Sequence, residues 1–184
     1  MAGFSRSPGL LLTVLVLLAG AVGCSSTSPA SSPATTTTAV GQSATVAHVS
    51  DGDTLRTTGG RKIRLVQIDA PELHGDCYGK AALVALRTLA PSGTRITLLR
   101  DAALDATDRY GRQLRYAFVD GTNVNLALVR QGAASPYFFR GDRGRFARDL
   151  LAAVGEAQRA NRGYWGACSG ARLDTDRGSI TGSG

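Results

Sequence analysis

The sequence predicts an α+β domain, a small five-stranded β-barrel with about three α-helices inserted and appended. Three observations carry that expectation. Short runs that alternate apolar and polar residues are punctuated by Asp/Gly turns, later runs carry apolar residues at helical spacing, and both flanks of the 184-residue chain lose either period. Residues 45–49 and 54–58 read as strands around the turn Ser50-Asp51-Gly52-Asp53. Gly59-Gly60 then closes a hairpin into a third strand over 62–68, where Ile63 and Leu65 alternate against basic and polar residues. Residues 79–90 (GKAALVALRTLA) have helical spacing and stop at Pro91-Ser92-Gly93. Two more strands follow at 95–100 and 113–119, the second ending at Asp120-Gly121, and 123–131 and 143–160 read as helices. Five short strands with helices between and after them make an OB-fold-like barrel. The folded domain is expected over residues 44–168.

The flanks are of a different kind. Arg6, the apolar run 10–19 (LLLTVLVLLA) and the small residues before Cys24 have the layout of a secretory signal over 1–23. The run is roughly half of what a membrane-spanning helix needs. Ala21-Val22-Gly23-Cys24 resembles a bacterial lipobox, in which the cysteine becomes the lipidated first residue of the mature chain. Export to the outer face of the cell membrane with a lipid on Cys24 is therefore expected, with plain secretion as the alternative. Ten of the fourteen residues 25–38 are Ser or Thr, so 24–43 reads as a Ser/Thr/Pro-rich tether with nothing to offset the entropy of ordering it. The Gly/Ser-rich residues 169–184 read as a flexible tail.

Of the three cysteines, lipidation of Cys24 leaves Cys77 and Cys168, which an oxidising compartment favours as one disulfide. A thiol nucleophile would need an activating base, and two cysteines at no motif spacing make a poor metal site. The formal charge is +7, and Lys62 and Lys80 are the only lysines among the 21 basic residues. Arginine-rich charge suits a polyanion, because the guanidinium forks phosphate, although charge alone identifies no partner.

Three segments carry chemistry: Asp51-Gly52-Asp53-Thr54; Arg64-Leu65-Val66-Gln67-Ile68-Asp69-Ala70-Pro71-Glu72; and Asp108-Arg109-Tyr110-Gly111-Arg112. They place acids and arginines at strand ends, where turns can gather them into one cleft. Asp53 and Asp69, with a backbone carbonyl, are the hard oxygen ligands that Ca²⁺ prefers. Glu72, just past a proline, can hold its carboxylate over an attacking water. Arg64 and Arg112 can fork a phosphodiester and offset the charge that grows on it.

In this order, and followed by Val124-Asn125-Leu126-Ala127-Leu128-Val129-Arg130-Gln131-Gly132 and Gly163-Tyr164-Trp165, these motifs resemble the staphylococcal nuclease (thermonuclease) family over residues 44–165. The resemblance implies an OB-type barrel that cleaves DNA and RNA to 3′-phosphate products with Ca²⁺ as cofactor, acting as a monomer. It implies that Asp53, Asp69 and the Ala70 carbonyl ligate the metal, with Asp51 behind them. Glu72 would be the general base, Arg64 and Arg112 the phosphate-binding and transition-state residues, and Arg109, Tyr110 and Tyr137 substrate contacts. Two departures stand out: the family prototype has threonine where this chain has Ala70, and its lysine-rich loop after the glutamate is shortened here to residues 73–77.

Taken singly, each motif has a plainer reading. An Asp-Gly-Asp-Thr is usually a turn, Asp69-Ala70-Pro71-Glu72 a strand end, and Arg112 a solvated hairpin arginine. Independent turns have no reason to share one family's order, and that favours the enzyme. The alternatives are a non-catalytic OB-fold nucleic-acid-binding lipoprotein of the cell envelope and an envelope interaction protein. His48 and His74 read as incidental, Asp101 and Asp105 as a solvated acidic loop, and Trp165 as a packing anchor.

Overall fold

Side-chain alternation decides which face of each strand the barrel buries. The computed structural model describes residues 41–182. The signal segment, Cys24 and the tether up to residue 40 lie outside the described residues. Strand β1 (Gln42–Val49) starts two residues before the expected domain boundary and buries Val46 and Val49. It pairs antiparallel with β2 (Thr54–Thr57), which pairs with β3 (Lys62–Leu65). On its other side β1 pairs with β5 (Arg95–Leu99), and β5 pairs with β6 (Gln113–Val119). A parallel pairing of β3 with β6 closes the five-stranded barrel. Leu55, Ile63, Leu65, Ile96, Leu98 and Ala117 fill it.

The helices cover the barrel along apolar stripes. Helix α1 (Gly79–Leu89) buries Ala82, Leu83 and Leu86. Strand β7 (Thr122–Asn123) leads into α2 (Val124–Arg130), whose Asn123 cap accepts a hydrogen bond from the Leu126 amide at 3.2 Å. Helix α3 (Ala147–Arg159) buries Leu150, Ala153, Val154 and Ala157, the i, i+3, i+4, i+7 spacing of one face. A single turn, α4 (Tyr164–Ala167), follows, with Trp165 packed half-buried against the core as expected.

Three expectations need correction. The third strand ends at Leu65, not at Ile68, because Gln67 sits at φ 62 and turns the chain. The buried Gln67 amide is held from three sides. Its Nε2 donates to the Asp142 carbonyl at 2.8 Å, and its Oε1 accepts from Tyr116 Oη at 3.1 Å and from the Gly144 amide at 2.9 Å. After the turn, a two-residue strand β4 (Ile68–Asp69) pairs with β8 (Ser135–Pro136), outside the barrel sheet. The same contacts occupy the chain before α3, which therefore starts at Ala147 rather than Arg143.

Second, Asp101 is not solvated. It is 6% exposed and accepts hydrogen bonds from the amides of Ala103 and Arg145 at 3.1 and 2.8 Å; Asp105 is exposed. Third, the tail is not loose. Strands β9 (Arg172–Asp174) and β10 (Gly178–Ile180) form a hairpin docked on the domain. The Phe138 amide donates to the Thr175 carbonyl at 2.7 Å, and the Cys77 amide to the Gly182 carbonyl at 3.1 Å. Gly/Ser composition signals a lack of internal packing, and here the order comes from other segments.

Cys77 and Cys168 are bonded, with Cα atoms 6.0 Å apart across 91 residues of chain. Closing a loop of that length restricts the unfolded chain by about 4–5 kcal/mol on the chain-entropy model. The Cys77→Ser/Cys168→Ser double variant should lose about that much in urea unfolding. A loss under about 1 kcal/mol would show that the bridge contributes little.

Candidate active site

The site starts from the β2–β3 hairpin. Pairing sets Thr54 opposite Arg64, and the Leu65 amide donates to the Asp53 carbonyl at 2.8 Å, which keeps Asp53, at the entry to β2, next to β3. The turn before it packs tightly: a Cβ on Gly52 would come 2.6 Å from the Ala70 Cβ and 2.8 Å from the Ala82 Cβ, so only glycine fits. Gln67's turn then brings β4 back across the same place.

The outcome is one arginine between two acids. Arg64 Nη2 lies 2.9 Å from Asp53 Oδ2 and 2.7 Å from Asp69 Oδ1. Its Nη1 donates to the Leu65 and Ile68 carbonyls at 2.7 and 2.6 Å. Asp53 Oδ2 also accepts from the Ala70 amide at 3.0 Å, and its Oδ1 from Thr54 Oγ1 at 3.0 Å. Asp51 supports the group from behind, its Oδ1 accepting from the Asp53 amide at 3.1 Å.

Electrostatically the cluster is short of positive charge. Burial, then the neighbouring Asp53 carboxylate, pushes Asp51 up to about 6. Asp69 also rises to about 6: burial dominates, Arg64 opposes it, and the charges of Asp53 and Glu72 add to it. Carboxylates held this high are destabilised as anions and gain from a further cation.

Arg112 approaches from the other side. Burial alone would raise Asp108, but hydrogen bonds from the amides of Arg112 and Tyr110 and from the Arg112 guanidinium outweigh it and hold Asp108 below the usual range. Arg112 Nε to Asp108 Oδ2 is 2.6 Å, which leaves its Nη1 to reach Thr54 Oγ1 at 3.4 Å. Asp108 and Thr54 were in the motifs but not singled out as site residues. The Asp-x-x-Gly-Arg spacing of a side chain closing its own turn was the signal for Asp108.

The remaining expected residues lie around this centre. Glu72 is exposed, and its amide is fixed by Asp76 Oδ2 at 2.9 Å. Arg109 and Tyr110 form an exposed arm, Arg109 Nη2 donating to Tyr110 Oη at 2.7 Å, with the Arg109 and Arg112 guanidinium carbons 4.8 and 5.4 Å from the Tyr110 ring centre. Tyr137 is half-buried, its amide bonded to the Gln67 carbonyl at 3.0 Å and its ring 6.4 Å from that of Phe139. His48 and His74 are exposed. Ser179, which no local pattern marks, contacts Asp69: its amide donates to Asp69 Oδ2 at 2.9 Å and its hydroxyl donates to the Asp69 carbonyl.

A closed OB-type barrel thus brings two acids and two arginines together, Arg64 between Asp53 and Asp69 and Arg112 joined to them through Thr54, an arrangement suited to phosphodiester hydrolysis. Residues 62–167 match the family described as staphylococcal nuclease homologue. The chain is 35% identical over 136 residues to the endonuclease YhcR of Bacillus subtilis (strain 168), covering 65% of this chain and 11% of that protein. It is 37% identical over 126 residues to an uncharacterized endonuclease of Escherichia coli O157:H7, covering 65% of this chain and 74% of that one. An uncharacterized endonuclease of Haemophilus influenzae is 36% identical over 96 residues, half of each chain. The chain belongs to the staphylococcal nuclease homologue family. It spans only a small part of the Bacillus relative and about three quarters of the Escherichia one.

The raised Asp51 carboxyl has a measurable consequence. With its folded value near 6 against 3.8 for the free side chain, the folded state holds an extra proton between those limits, so this group's contribution to stability falls as pH rises through that window. In cation-free buffer at pH 7, Asp51→Asn should therefore stabilise the domain by about 1–2 kcal/mol, a shift of roughly two units discounted for partial exposure. At pH 4 the gain should vanish. Thermal unfolding that shows Asp51→Asn equally destabilised at both pH values would contradict this.

Proposed function

We propose that the chain is an exported, Ca²⁺-dependent nuclease that hydrolyses phosphodiester bonds of DNA and RNA. One observation carries the reading: Asp53 and Asp69 converge on Nη2 of the Arg64 guanidinium, with Arg112 joined to Asp53 through Thr54. A pair of acids that already bridges one cation is a site for another. Its donors are hard oxygens, with neither thiol nor imidazole among them, as Ca²⁺ requires. Among the described residues no three His, Cys, Asp or Glu side chains form a complete cage. A Ca²⁺ ion would therefore take Asp53, Asp69, the Ala70 carbonyl and water, leaving Asp51 to hold Asp53 in place. Bound there, it would supply electrostatic stabilisation of charge developing on the phosphate.

The protein groups then divide the work. Glu72 is exposed beside the acids, open to water, and accepts the proton of the water that attacks phosphorus. Arg112 is oriented by Asp108 and presents its remaining N–H groups to the phosphate oxygens, where they offset the growing negative charge. Arg64 spends Nη2 on the two acids, so it reaches phosphate only once those acids are neutralised otherwise. Arg109, Tyr110 and Tyr137 would contact the substrate, as arginine and aromatic side chains suit a flexible strand with exposed bases. A module that only binds nucleic acid has no need of Glu72 or of the paired acids.

Export with a lipid on Cys24 is part of the same proposal, supported by the Cys77–Cys168 disulfide, which persists in oxidising compartments. Metabolic labelling with a fatty acid should mark the wild type and not Cys24→Ser. Label persisting on the variant would reduce the proposal to plain secretion.

Activity tests separate the roles. The chain without its first 23 residues should degrade single-stranded DNA and RNA with Ca²⁺ and stop in EDTA; equal rates in EDTA would end the metal assignment. Glu72→Gln should lower kcat by roughly 10²–10⁴, the range of a positioned general base. Arg112→Lys, which keeps charge but loses the planar fork, should also lower kcat. Asp53→Asn should instead raise the Ca²⁺ requirement, with part of the rate recovered at high Ca²⁺. A folded Glu72→Gln variant with near-full activity would remove Glu72 as the base.

A further inference from the structure

The C-terminal hairpin sits on the ligand pair itself. Ser179 holds Asp69 at two atoms, its amide donating to carboxylate Oδ2 at 2.9 Å and its hydroxyl to the Asp69 carbonyl. That carbonyl belongs to the same peptide unit as the Ala70 amide, which donates to Asp53 Oδ2 at 3.0 Å. The Asp69–Ala70 peptide is thus fixed from both ends, by the hairpin on one side and by the second acid on the other. Because Arg64 takes Oδ1 and Ser179 takes Oδ2, the carboxylate plane has no rotational freedom.

The neighbouring glycine explains how the hairpin comes so close. At Gly178, φ is +86, and an added Cβ would lie 2.5 Å from Asp69 Oδ2 and 2.8 Å from its Cβ and Cγ. Backbone conformation and contact both require glycine there. The hairpin is anchored beyond Asp69 as well. Thr175 accepts from Phe138, and Gly182 accepts from Cys77, in the loop that carries Glu72. The disulfide joins that loop to Cys168, a few residues before β9. Thr181, just after β10, is 3% exposed.

We propose that the hairpin 172–180 is a working part of the cation site, with Ser179 as a positioning residue that presets Asp69 as a ligand. The inference rests on the assignment of Asp69 to Ca²⁺ made above. The physical basis is general: a ligating carboxylate that is itself hydrogen-bonded loses less freedom on taking up metal, and removing such partners costs about 10–100-fold in metal affinity.

The test is Ca²⁺ binding by calorimetry, with Tb³⁺ luminescence as a second probe, on the chain without its first 23 residues. Four variants are compared: a truncation after Ala171, Gly178→Ala, Ser179→Ala and Ser179→Thr. The truncation should bind Ca²⁺ about 10–100-fold more weakly while unfolding in one cooperative transition, and its rate at saturating Ca²⁺ should come within a few-fold of the parent. Ser179→Ala, which loses only the hydroxyl bond, should show a smaller loss, and Ser179→Thr should restore it. If the truncated chain does not fold, Gly178→Ala decides, because it displaces the hairpin from Asp69 within an intact chain. Parent-like affinity in the folded truncation, or in Gly178→Ala, would overturn the inference and leave the nuclease reading standing. A parent chain that binds no Ca²⁺ would overturn both.

Discussion

The contact between Arg64 and the two aspartates is what the site is built around. The turn before β2, strand β3 and strand β4, brought near one another by the β2–β3 hairpin and the turn at Gln67, are locked together at one guanidinium nitrogen. The arginine side chain is 11% exposed, so it has been taken largely out of water, and only its partners make that tolerable. Removing one member of such a group leaves an uncompensated buried charge, typically at a cost of about 3–5 kcal/mol. The same contact leaves the site one cation short. Two carboxylates share one guanidinium while Asp51 stands behind them, and burial raises Asp51 and Asp69 toward neutrality.

Function and strain meet at Gln67. Its left-handed backbone ends the barrel strand and redirects the chain, so that Asp69 pairs with Ser135 in a second small sheet and comes back toward Asp53. A non-glycine residue there is a cost, met by the buried hydrogen bonds of its side chain to Asp142, Tyr116 and Gly144. Those bonds reach across 49 to 77 residues of chain. The core around Tyr116 and the start of α3 therefore help to determine where a cleft acid points.

This separation of local from distant causes explains what could be read from the sequence. The barrel strands and three main helices follow from local period and turn chemistry, and they are found within a few residues of where those signals put them. Asp53, Arg64, Asp69 and Arg112 were legible because each lies in a short motif and the motifs keep a family's order. Where β3 ends was not legible, since nothing near Gln67 announces that distant partners will hold its backbone at positive φ. Asp101 looks like a solvated acid until the Arg145 amide, 44 residues on, covers it. Ser179 is the extreme case: its contact with Asp69 spans 110 residues, and its own neighbourhood shows only turn residues and a lack of hydrophobic pattern.

The central claim is that the Asp53–Asp69 pair is a cation site which Arg64 neutralises until a metal arrives. The most direct measurement is a crystal structure of the chain grown with Ca²⁺ and a nucleotide phosphate. It should show one Ca²⁺ at about 2.3–2.6 Å from the Asp53 and Asp69 carboxylates and the Ala70 carbonyl, with Arg64 Nη2 moved from the acids to the phosphate. Ca²⁺ bound elsewhere, or Arg64 still bridging both acids with phosphate in the cleft, would contradict the account.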